Sequence, residues 1–376
     1  MHLVLFLTYG NSLLTWKTAG ILERELSLYQ QYCATGDRIT IISYGGRKDL
    51  LLTSKYDAIS VICNKRHLPR LLYGFLVPFV HRPQLKNVDV IKTNQLYGAH
   101  VAAWSSKILN KPLVVRSGYD YYEHEIKKSS SNLITKFWAK IYENYCVKTA
   151  RLILVSTERI RINLLERYPT ISNVVVVPNF VDNQIWSPAY SESHKTKNDT
   201  DKLRICFFGR FVEQKNLDAL VRASQNLPVR LTLIGEGPLI TSLKKLSNSL
   251  DVDAEFLPRL HQYELVSKLK TCDLFVLPSL YEGHPKSLIE AMTLGMPVLG
   301  SDSPGIKEII SPGVTGIMVG PTDRELKSGL QSFIAMTNDQ RRLLGDNARR
   351  WALAHYSLSR VFSLERSTIR QINDFV

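Results

Sequence analysis

Two carboxylates, Glu282 and Glu290, bracket a segment whose sequence predicts a strand, a loop and a helix. The apolar run CDLFVLPS before them is typical of a buried strand, and SLIEAMTL has helical spacing that ends at Gly295. Pro285 fits the first helical turn, and Ser287 can cap it. Because the first N–H groups of a helix bind phosphate, this segment predicts an anion site between two acids.

The two acids are suited to different tasks in such a site. Glu290 lies one turn into the predicted helix, where a carboxylate can accept hydrogen bonds from the hydroxyls of a ribose. Glu282 lies in the loop before the helix and can reach a group beyond the phosphates. The backbone N–H groups of residues 286–288 face the carboxyl end of the strand. The chemistry that this arrangement predicts is the binding of a nucleoside diphosphate and of the group it carries.

A second motif supplies the positive charge that a diphosphate needs. The segment RICFFGRFVEQKNLDALVRAS predicts a strand, a turn at Gly209 and a helix, with Arg210 and Lys215 on either side of the turn. A guanidinium fork and an ammonium group together stabilise the growing charge of a diphosphate leaving group. LTLIGEGPL predicts a further strand with a turn at Gly235 and Gly237, and AEFLP and RLHQYEL follow it. Turns of this kind line one edge of a parallel sheet, where α/β proteins bind nucleotides.

Together these motifs resemble those of retaining glycosyltransferase family 4, the glycosyl transferases group 1. The matching elements are GR-x4-KN (Gly209, Arg210, Lys215, Asn216), the G-x-G turn, and E-x7-E followed by EAM-x2-G-x-PV. The amino half resembles family members more loosely, through TYGNSLLTWKTAGILERELSLYQQY, VIKTNQLYGAH, KPLVVRSGYD and VVVVPNFVD. The resemblance covers most of the chain.

The resemblance implies an α/β protein of the GT-B fold, with two facing Rossmann-like, doubly wound domains and a cleft between them. Residues 1–182 form the expected acceptor-binding domain, joined by a C-terminal helix over about 357–376 that crosses back to it. Residues 183–202 form the expected linker and residues 203–356 the nucleotide-sugar domain. The chain is long for one core, and strand and helix patterns alternate in both halves, which agrees with two domains.

The implied activity is retaining transfer of a sugar from a nucleoside diphosphate to a hydroxyl of a glycan or lipid-linked acceptor, in cell-surface polysaccharide or glycolipid synthesis. The resemblance makes Arg210, Lys215 and Glu282 the catalytic residues. Further positions are expected to bind the donor: Gly209, Arg259, Leu260, His284, Lys286, Ser287, Leu288 and Glu290. On the acceptor side the candidates are Gly10, Asn11, Arg116 and Asp120.

The amino domain departs from the family pattern at one catalytic position. Many members carry a His or Asp in the loop after the strand that corresponds to PLVV, whereas this sequence continues as RSGYD. Asp120 or a backbone carbonyl is the candidate replacement. The resemblance still implies retention, because the leaving diphosphate can accept the proton of an acceptor that attacks on the same face. In that mechanism the two Glu residues bind donor hydroxyls and do not serve as acid and nucleophile.

No metal or other cofactor is expected. Two Asp-x-Asp triplets occur, at residues 199–201 and 251–253, but the first lies in the linker and the second precedes a strand at its amino end. The cations of Arg210 and Lys215 can supply the charge that a divalent ion would otherwise bring.

Positive charge is concentrated in the amino half. Residues 1–182 carry 24 Lys and Arg against 13 Asp and Glu, which accounts for +11 of the net charge of +14. Such a face suits an acidic acceptor or an anionic membrane surface. The apolar segment LLYGFLVPFV, rimmed by Lys65, Arg66, Arg70 and Arg82, predicts either an interfacial helix or a core helix interrupted by Pro78. No nucleic-acid recognition motif accompanies the charge, so no nucleic-acid partner is expected.

Other function classes find less support in the sequence. No G-x-G-x-x-G follows a strand, which argues against a dinucleotide-binding oxidoreductase. A nucleotide-sugar epimerase of the same fold and a non-catalytic sugar-binding protein remain as alternatives. The five cysteines form no C-x2-C pair, MHLVLFLTYG is too short for a signal peptide, and no apolar run has the length of a membrane span. We therefore expect a cytoplasmic protein, peripheral on the inner face of the cell membrane.

Overall fold

The computed structural model describes residues 1–54, 56, 58–127, 132–187 and 202–373. The chain forms two compact units, one of Met1–Asn179 with Leu358–Val376 and one of Phe180–Ser357. The predicted linker over 183–202 falls mostly outside the described residues, as does the Asp-x-Asp triplet at 199–201.

The first unit contains a parallel sheet with helices on it. Its described strands are β1 (His2–Phe6), β2 (Arg38–Ser43), β3 (Ile59–Cys63), β4 (Val90–Thr93), β5 (Leu113–Ser117), β6 (Leu152–Val155) and β7 (Val174–Val176). Its helices before the second unit are α1 (Leu13–Thr18), α2 (Leu22–Ala34), α3 (Lys48–Leu52), α4 (Arg70–Val80), α5 (Arg82–Leu85), α6 (Ala99–Leu109), α7 (Tyr121–Lys127), α8 (Leu133–Thr149) and α9 (Glu158–Arg167).

The second unit repeats this architecture. Its described strands are β8 (Leu203–Phe208), β9 (Val229–Ile234), β10 (Ala254–Leu257), β11 (Leu274–Leu277), β12 (Val298–Ser301) and β13 (Ile317–Val319). Its helices are α10 (Leu217–Ala223), α11 (Ile240–Ser249), α12 (Gln262–Leu269), α13 (Lys286–Thr293), α14 (Pro304–Lys307), α15 (Asp323–Ala335) and α16 (Asn338–Tyr356).

Both sheets have the doubly wound strand order. Among the described strands the orders are β3-β2-β1-β4-β5-β6-β7 and β10-β9-β8-β11-β12-β13, with every pair parallel. Helices cover both faces of such sheets, so the strands are nearly continuous apolar runs; β11 (LFVL) is buried at all four positions. The predicted pair of doubly wound α/β domains is confirmed.

The strand order also fixes where a ligand can enter. In such a sheet the order in which the strands are added reverses between two neighbouring parallel strands. The loops at the carboxyl ends of these two strands diverge there and leave a crevice. In the second unit this point lies between β8 and β11, and in the first between β1 and β4. The motifs GR-x4-KN and E-x7-E directly follow β8 and β11.

The last helix, α17 (Leu358–Asn373), packs on α2 of the first unit. Its Glu365 accepts a hydrogen bond from Lys92 of β4 at 2.6 Å, and both side chains are buried. At the surface edge of the same helix, Arg366 pairs with Asp37 at 2.7 Å. Helix α17 is thus held to the sheet of the first unit.

Candidate active site

Arg210, Lys215 and Glu282 all lie in loops at the carboxyl edge of the second sheet. Arg210 follows β8 directly, Lys215 ends a short 3-10 turn over Glu213–Lys215, and Glu282 lies between β11 and α13. Because β8 and β11 are neighbours, residues 67 positions apart in sequence meet in space. Arg210 is exposed, and its guanidinium has no hydrogen bond or ion pair with any described residue.

Lys215 and Glu282 form an ion pair with each other through Nζ and Oε1. Both side chains are largely buried, at 13% and 7% exposure. An ion pair in such surroundings is strong only while both partners are present, since each charge loses water on burial. The two residues for which separate functions were predicted, Lys215 for phosphate and Glu282 for sugar, are therefore linked to each other in one ion pair.

Two amide side chains that bear no charge hold the two loops together. Gln214 donates from its side chain to the carbonyl of Tyr281 at 2.8 Å, and its main-chain carbonyl accepts from the Leu280 N–H at 2.9 Å. Asn216, with φ of 52°, donates to the carbonyls of Pro278 at 3.2 Å and Pro321 at 2.7 Å. Gln214 was not identified from the sequence, because an amide in a turn carries no signal of its partner.

Two glycines let the site loops approach each other more closely than any side chain would allow. A Cβ on Gly235 would lie 1.9 Å from the carbonyl oxygen of Gly209, so the turn after β9 packs directly on the turn after β8. A Cβ on Gly305, in α14, would lie 1.9 Å from the carbonyl oxygen of Gly283. Because Gly305 has no side chain, α14 can pack directly on the backbone of the loop that carries Glu282.

Helix α13 begins at Lys286, and this corrects the expected cap. Pro285 precedes the helix in an extended conformation and makes no side-chain cap, while Ser287 lies inside the first turn. A capping side chain must come from the residue before the helix, which is Pro285, so Ser287 lies two positions too late to act in that way. The first N–H groups of α13, including that of Ser287, have no carbonyl partner within the helix, and their binding of phosphate stays a prediction.

The remaining donor-side positions differ in exposure. Glu290, one turn into α13, is buried, and Leu288 is fully buried. The ring of His284 is buried and lies 5.0 Å from that of Tyr356 in an edge-on contact, so it fixes the start of α13 against α16. Arg259 is exposed and Leu260 half-buried in the loop after β10, the strand at the far edge of the same sheet.

Buried hydroxyls at this edge were also missed by the sequence reasoning. The Oγ atoms of Ser279 and Ser303, which follow β11 and β12, are buried and have no hydrogen-bond partner among the described residues. Buried polar atoms are rarely left without a partner, and those that are tend to mark functional positions. Serine is too common in loops for the sequence to have indicated either one.

In the first unit, Gly10 and Asn11 lie in the loop between β1 and α1. The carbonyl of Asn11 accepts from the Tyr44 N–H at 3.1 Å, and Gly10 lies against the guanidinium of Arg70. The first N–H groups of α1 are already bound by a carboxylate of the protein. Asp49, which is buried, accepts from the N–H groups of Leu13 and Leu14, each at 3.1 Å.

Arg116 and Asp120 make structural contacts within the first unit. The Arg116 guanidinium donates to the carbonyls of Val177 at 2.9 Å and Pro178 at 3.3 Å. Asp120 accepts two hydrogen bonds from Arg167, at 2.9 and 3.1 Å. Burial opposes ionisation of this carboxyl, but the bonds from Arg167 outweigh it and lower the pKa of Asp120. An ionised carboxylate fixed in this way is a poor base, so these contacts do not support Asp120 as the replacement catalytic group.

Aromatic side chains that the sequence analysis did not single out gather beside Gly10. The Tyr9 ring lies 5.2 Å from that of Tyr44 and 5.4 Å from that of His100. Nδ1 of His100 lies 3.2 Å from the Tyr142 hydroxyl, and burial lowers the pKa of His100, which keeps the imidazole neutral at neutral pH. Tyr9 and Tyr44 lie in the loops after β1 and β2, His100 in α6 and Tyr142 in α8. Because these positions are far apart in sequence, no local pattern predicts that the rings lie close together.

The described residues contain no group of three or more His, Cys, Asp or Glu side chains arranged to hold a metal ion. Asp253, from the second Asp-x-Asp triplet, precedes β10 and pairs with Lys202 at 3.0 Å. Within the described part of the chain, each helix is too short or too polar to cross a bilayer.

Comparison with known proteins identifies a family over both halves of the chain. The model described as Glycosyl transferases group 1 matches residues 191–351, and the model described as Glycosyltransferase Family 4 matches residues 25–184. The chain is 24% identical over 67% of its length to an Escherichia coli UDP-Gal:alpha-D-GlcNAc-diphosphoundecaprenol alpha-1,3-galactosyltransferase, of which 67% is covered. It is 24% identical over 68% of its length to an alpha-D-kanosaminyltransferase of Streptomyces kanamyceticus, of which 69% is covered.

A solved structure extends the likeness to the whole chain. The Anabaena protein HepE, solved in complex with UDP, superimposes with a TM-score of 0.77 at 18% identity, over 99% of this chain and 100% of that one. At this identity the similarity establishes the fold alone. The fold is GT-B, as predicted.

Proposed function

This chain belongs to the glycosyltransferases of group 1 and family 4, and we propose that it transfers a sugar from a nucleoside diphosphate to a hydroxyl of a glycan or lipid-linked acceptor. The observation that carries the proposal is the Lys215–Glu282 ion pair at the switch point of the second sheet, where Arg210 follows β8 and the start of α13 follows the neighbouring strand β11. The relatives support the substrate classes, since the E. coli enzyme is named for a UDP-sugar and a diphosphoundecaprenol acceptor.

In this proposal the diphosphate binds among three sources of positive charge. Arg210 presents an open guanidinium fork, Lys215 a point charge, and α13 its first N–H groups. As the bond between sugar and phosphate breaks, negative charge grows on the diphosphate, and the same groups stabilise it more strongly than in the ground state.

Glu282 has a second function that follows from its pairing. While it pairs with Lys215, its carboxylate has a free oxygen for donor hydroxyls, and it holds the ammonium group in place for phosphate. Glu290, buried in α13, is proposed to bind the ribose, and Arg259 with Leu260 to flank the base. His284, Lys286, Ser287 and Leu288 contribute backbone at the start of α13, and Gly209 allows close approach of the diphosphate.

We propose that transfer retains the anomeric configuration and needs no metal ion. The acceptor hydroxyl attacks the anomeric carbon on the face that the diphosphate leaves, and its proton passes to a departing phosphate oxygen. No enzyme base is required in this step, which is consistent with the engagement of Asp120 by Arg167. The charge that a divalent ion would supply comes from Arg210 and Lys215.

The product and its metal dependence test this part of the proposal. With a sugar donor that is accepted, NMR of the new linkage is expected to show the donor's anomeric configuration, and EDTA is expected to leave turnover unchanged. An inverted linkage, or activity that disappears with EDTA and returns with a divalent ion, would overturn it.

The proposed acceptor side includes an anionic membrane surface on the cytoplasmic face. Helix α4 supports it, because this helix exposes Leu71 at 72%, Phe75 at 54% and Val80 at 58%. Its buried residues are Tyr73, Gly74, Val77 and Pro78. One side of α4 is thus buried and another is apolar and exposed, which supports the interfacial alternative for this segment over the core helix interrupted by Pro78. Reversing the charge of Lys65, Arg66 and Arg82 is expected to weaken binding to acidic vesicles and to leave hydrolysis of the donor in solution intact. Equal vesicle binding by that variant and wild type would remove α4 from the proposal.

A further inference from the structure

A second apolar surface of the first unit lies on α8. Leu133 is 83% exposed, Phe137 61% and Trp138 62%, and Ile134, Ile141 and Tyr145 are exposed as well. Their spacing of one, three or four residues places them along one side of a helix with 3.6 residues per turn. They form a continuous outward stripe, which we call the α8 stripe: Leu133, Ile134, Phe137, Trp138, Ile141 and Tyr145.

Packing within the unit does not account for this stripe. The opposite side of α8 already supplies the core contacts, through Ala139, Glu143, Cys146 and Val147, all of which are buried. An exposed run of Leu, Ile, Phe and Trp in water is unfavourable, and contiguous apolar patches on proteins mark surfaces that bind something.

A basic groove adjoins the carboxyl end of the stripe. It lies between α6 and α8, has a volume of about 620 Å³, and shares Ile141 and Tyr145 with the stripe. Lys107 lies with its Nζ 4.7 Å from the centre of the Tyr145 ring. The other lining residues are polar or basic, and no acidic residue is among them: Ser106, Asn110, Lys111, Asn144, Lys148 and Thr149.

The exposed charge on α8 has one sign. Lys136, Lys140 and Lys148 lie on α8 itself, and its one acidic residue, Glu143, is buried and bound to Arg167 at 2.6 Å. An apolar stripe that ends in a groove of lysines matches an anionic phospholipid, whose chains are apolar and whose phosphate lies at the level of the polar headgroups. A protein partner would be expected to meet polar groups of both signs.

We propose that α8 docks the protein on a bilayer that contains anionic phospholipid. The α8 stripe enters the acyl boundary, with Trp138 at the interface, and Lys107, Lys111 and Lys148 bind a headgroup phosphate in the groove between α6 and α8. This inference deepens the proposed membrane-side acceptor and rests on it. It assigns the docking to apolar insertion by α8 together with a defined phosphate site, in addition to the charged rim of α4.

Vesicle co-sedimentation tests the stripe. Phe137→Ser/Trp138→Ser is expected to weaken binding to phosphatidylglycerol-containing vesicles by roughly tenfold or more, since two large aromatic side chains no longer leave water. Leu343→Ser, at 58% exposure on α16 of the second unit, is the matched control and should bind as wild type. Trp138→Phe should retain binding and lose the quenching of Trp138 by brominated lipid.

The groove is tested by Lys107→Gln/Lys148→Gln. This variant should lose most of the preference for phosphatidylglycerol over phosphatidylcholine and should bind with a weaker dependence on salt. Wild-type binding by the stripe variant, or unchanged lipid preference in the groove variant, overturns the inference. So does a wild-type dimer that the stripe variant converts to monomer without vesicles, because the stripe would then cover a second copy.

The outcomes separate this inference from the proposed function. A wild-type protein that transfers sugar to a soluble acceptor but stays in the supernatant with acidic vesicles overturns the docking and leaves the transfer standing. A protein that sediments through α8 but shows no transfer and binds no nucleotide sugar overturns the proposed function and leaves the docking.

Discussion

At the scale of single residues, the central feature is the linked pair of Lys215 and Glu282. Each was expected to act separately, one on the phosphates and one on the sugar, and the structure joins them in one ion pair. Removing either partner leaves the other charge poorly solvated, so the two positions should not behave independently in mutants.

Arg210→Ala and Lys215→Ala are each expected to leave the protein folded and to lower kcat by roughly 10²-fold or more, the scale of removing one transition-state charge partner. Steady-state turnover with the accepted donor gives the answer. Lys245→Ala, an exposed lysine on α11 of the same unit, removes an equal charge and should have little effect. Near-normal turnover in both site variants would contradict the phosphate assignment.

The two glutamates should separate into binding and turnover. Glu290→Gln is expected to weaken donor binding most, because it removes an acceptor for ribose hydroxyls that are bound equally before and during the reaction. Glu282→Gln is expected chiefly to lower kcat, because it also releases Lys215. Donor titration and initial rates on the same preparations distinguish the two effects, and the reverse pattern would exchange the two roles.

At the scale of elements, loops that are distant in sequence build the site by direct backbone contact. The turns after β8 and β9 meet at Gly209 and Gly235, and α14 meets the Glu282 loop at Gly305. Gln214 and Asn216 then tie the β8 loop to the ends of β11 and β13. The charged groups are positioned by this network more than by the strands alone.

Gly305→Ala tests the network. Its new Cβ would lie 1.9 Å from the Gly283 carbonyl oxygen and 2.6 Å from that of Glu282, so the loop must move away from α14. We expect turnover to fall at least roughly tenfold with donor affinity reduced, since small misplacements at a reacting centre are costly. Full turnover in the folded variant, as judged by its circular dichroism, would show that the position of this loop is not critical.

The sequence was sufficient to predict the strands and helices of the site, but it was insufficient to predict the contacts between them. Apolar runs such as LFVL and the helical spacing of SLIEAMTL predicted β11 and α13, because burial imposes those patterns locally. The prediction that Ser287 caps α13 was wrong, because the exact start of a helix depends on backbone angles that residue spacing does not determine. The contacts of Gln214, the fixing of Asp120 by Arg167, and the exposure of α8 depend on tertiary packing, which no local pattern encodes.

At the scale of the whole molecule, the end of the chain is fastened to its beginning. Asp37 binds the amino group of Met1 at 2.9 Å and Arg366 of α17 at 2.7 Å, and Lys92 of β4 pairs with Glu365 deeper inside. Most of the net charge of +14 resides in residues 1–182, and the exposed apolar helices α4 and α8 lie in the same unit. The attachment of the chain end and the proposed membrane docking therefore concern the first unit, and the proposed donor binding concerns the second.

Glu365→Gln is expected to destabilise the first unit by about 3–5 kcal/mol, because Lys92 would be left as a buried charge without its partner. Lys92→Met/Glu365→Leu should recover most of that loss by replacing the pair with apolar groups. Urea unfolding followed by circular dichroism measures both. A single variant as stable as wild type would show that the pair contributes nothing.

Acid should loosen the same attachment. Burial raises the pKa of Asp37, but hydrogen bonds from Arg366 and the amino terminus outweigh it and hold the pKa below its usual value. The unfolded chain then binds the proton more readily, so the stabilisation is complete above about pH 4 and is lost as pH falls through the lower folded pKa. In Asp37→Asn the free energy of unfolding should be lower at neutral pH and should fall less on acidification. An unchanged pH profile would contradict the link.

The central claim, that the second unit binds a nucleoside diphosphate sugar through Arg210 and Lys215, is tested most directly by thermal shift against UDP, GDP, ADP, dTDP and CMP sugars. Because a ligand that binds only the folded state stabilises it by mass action, one donor should raise the Tm with increasing concentration. We expect this rise in Tm to be lost in Arg210→Ala and Lys215→Ala and to be kept in Lys245→Ala. No shift with any donor at saturating concentration, or a shift of equal size in all three variants, would contradict it.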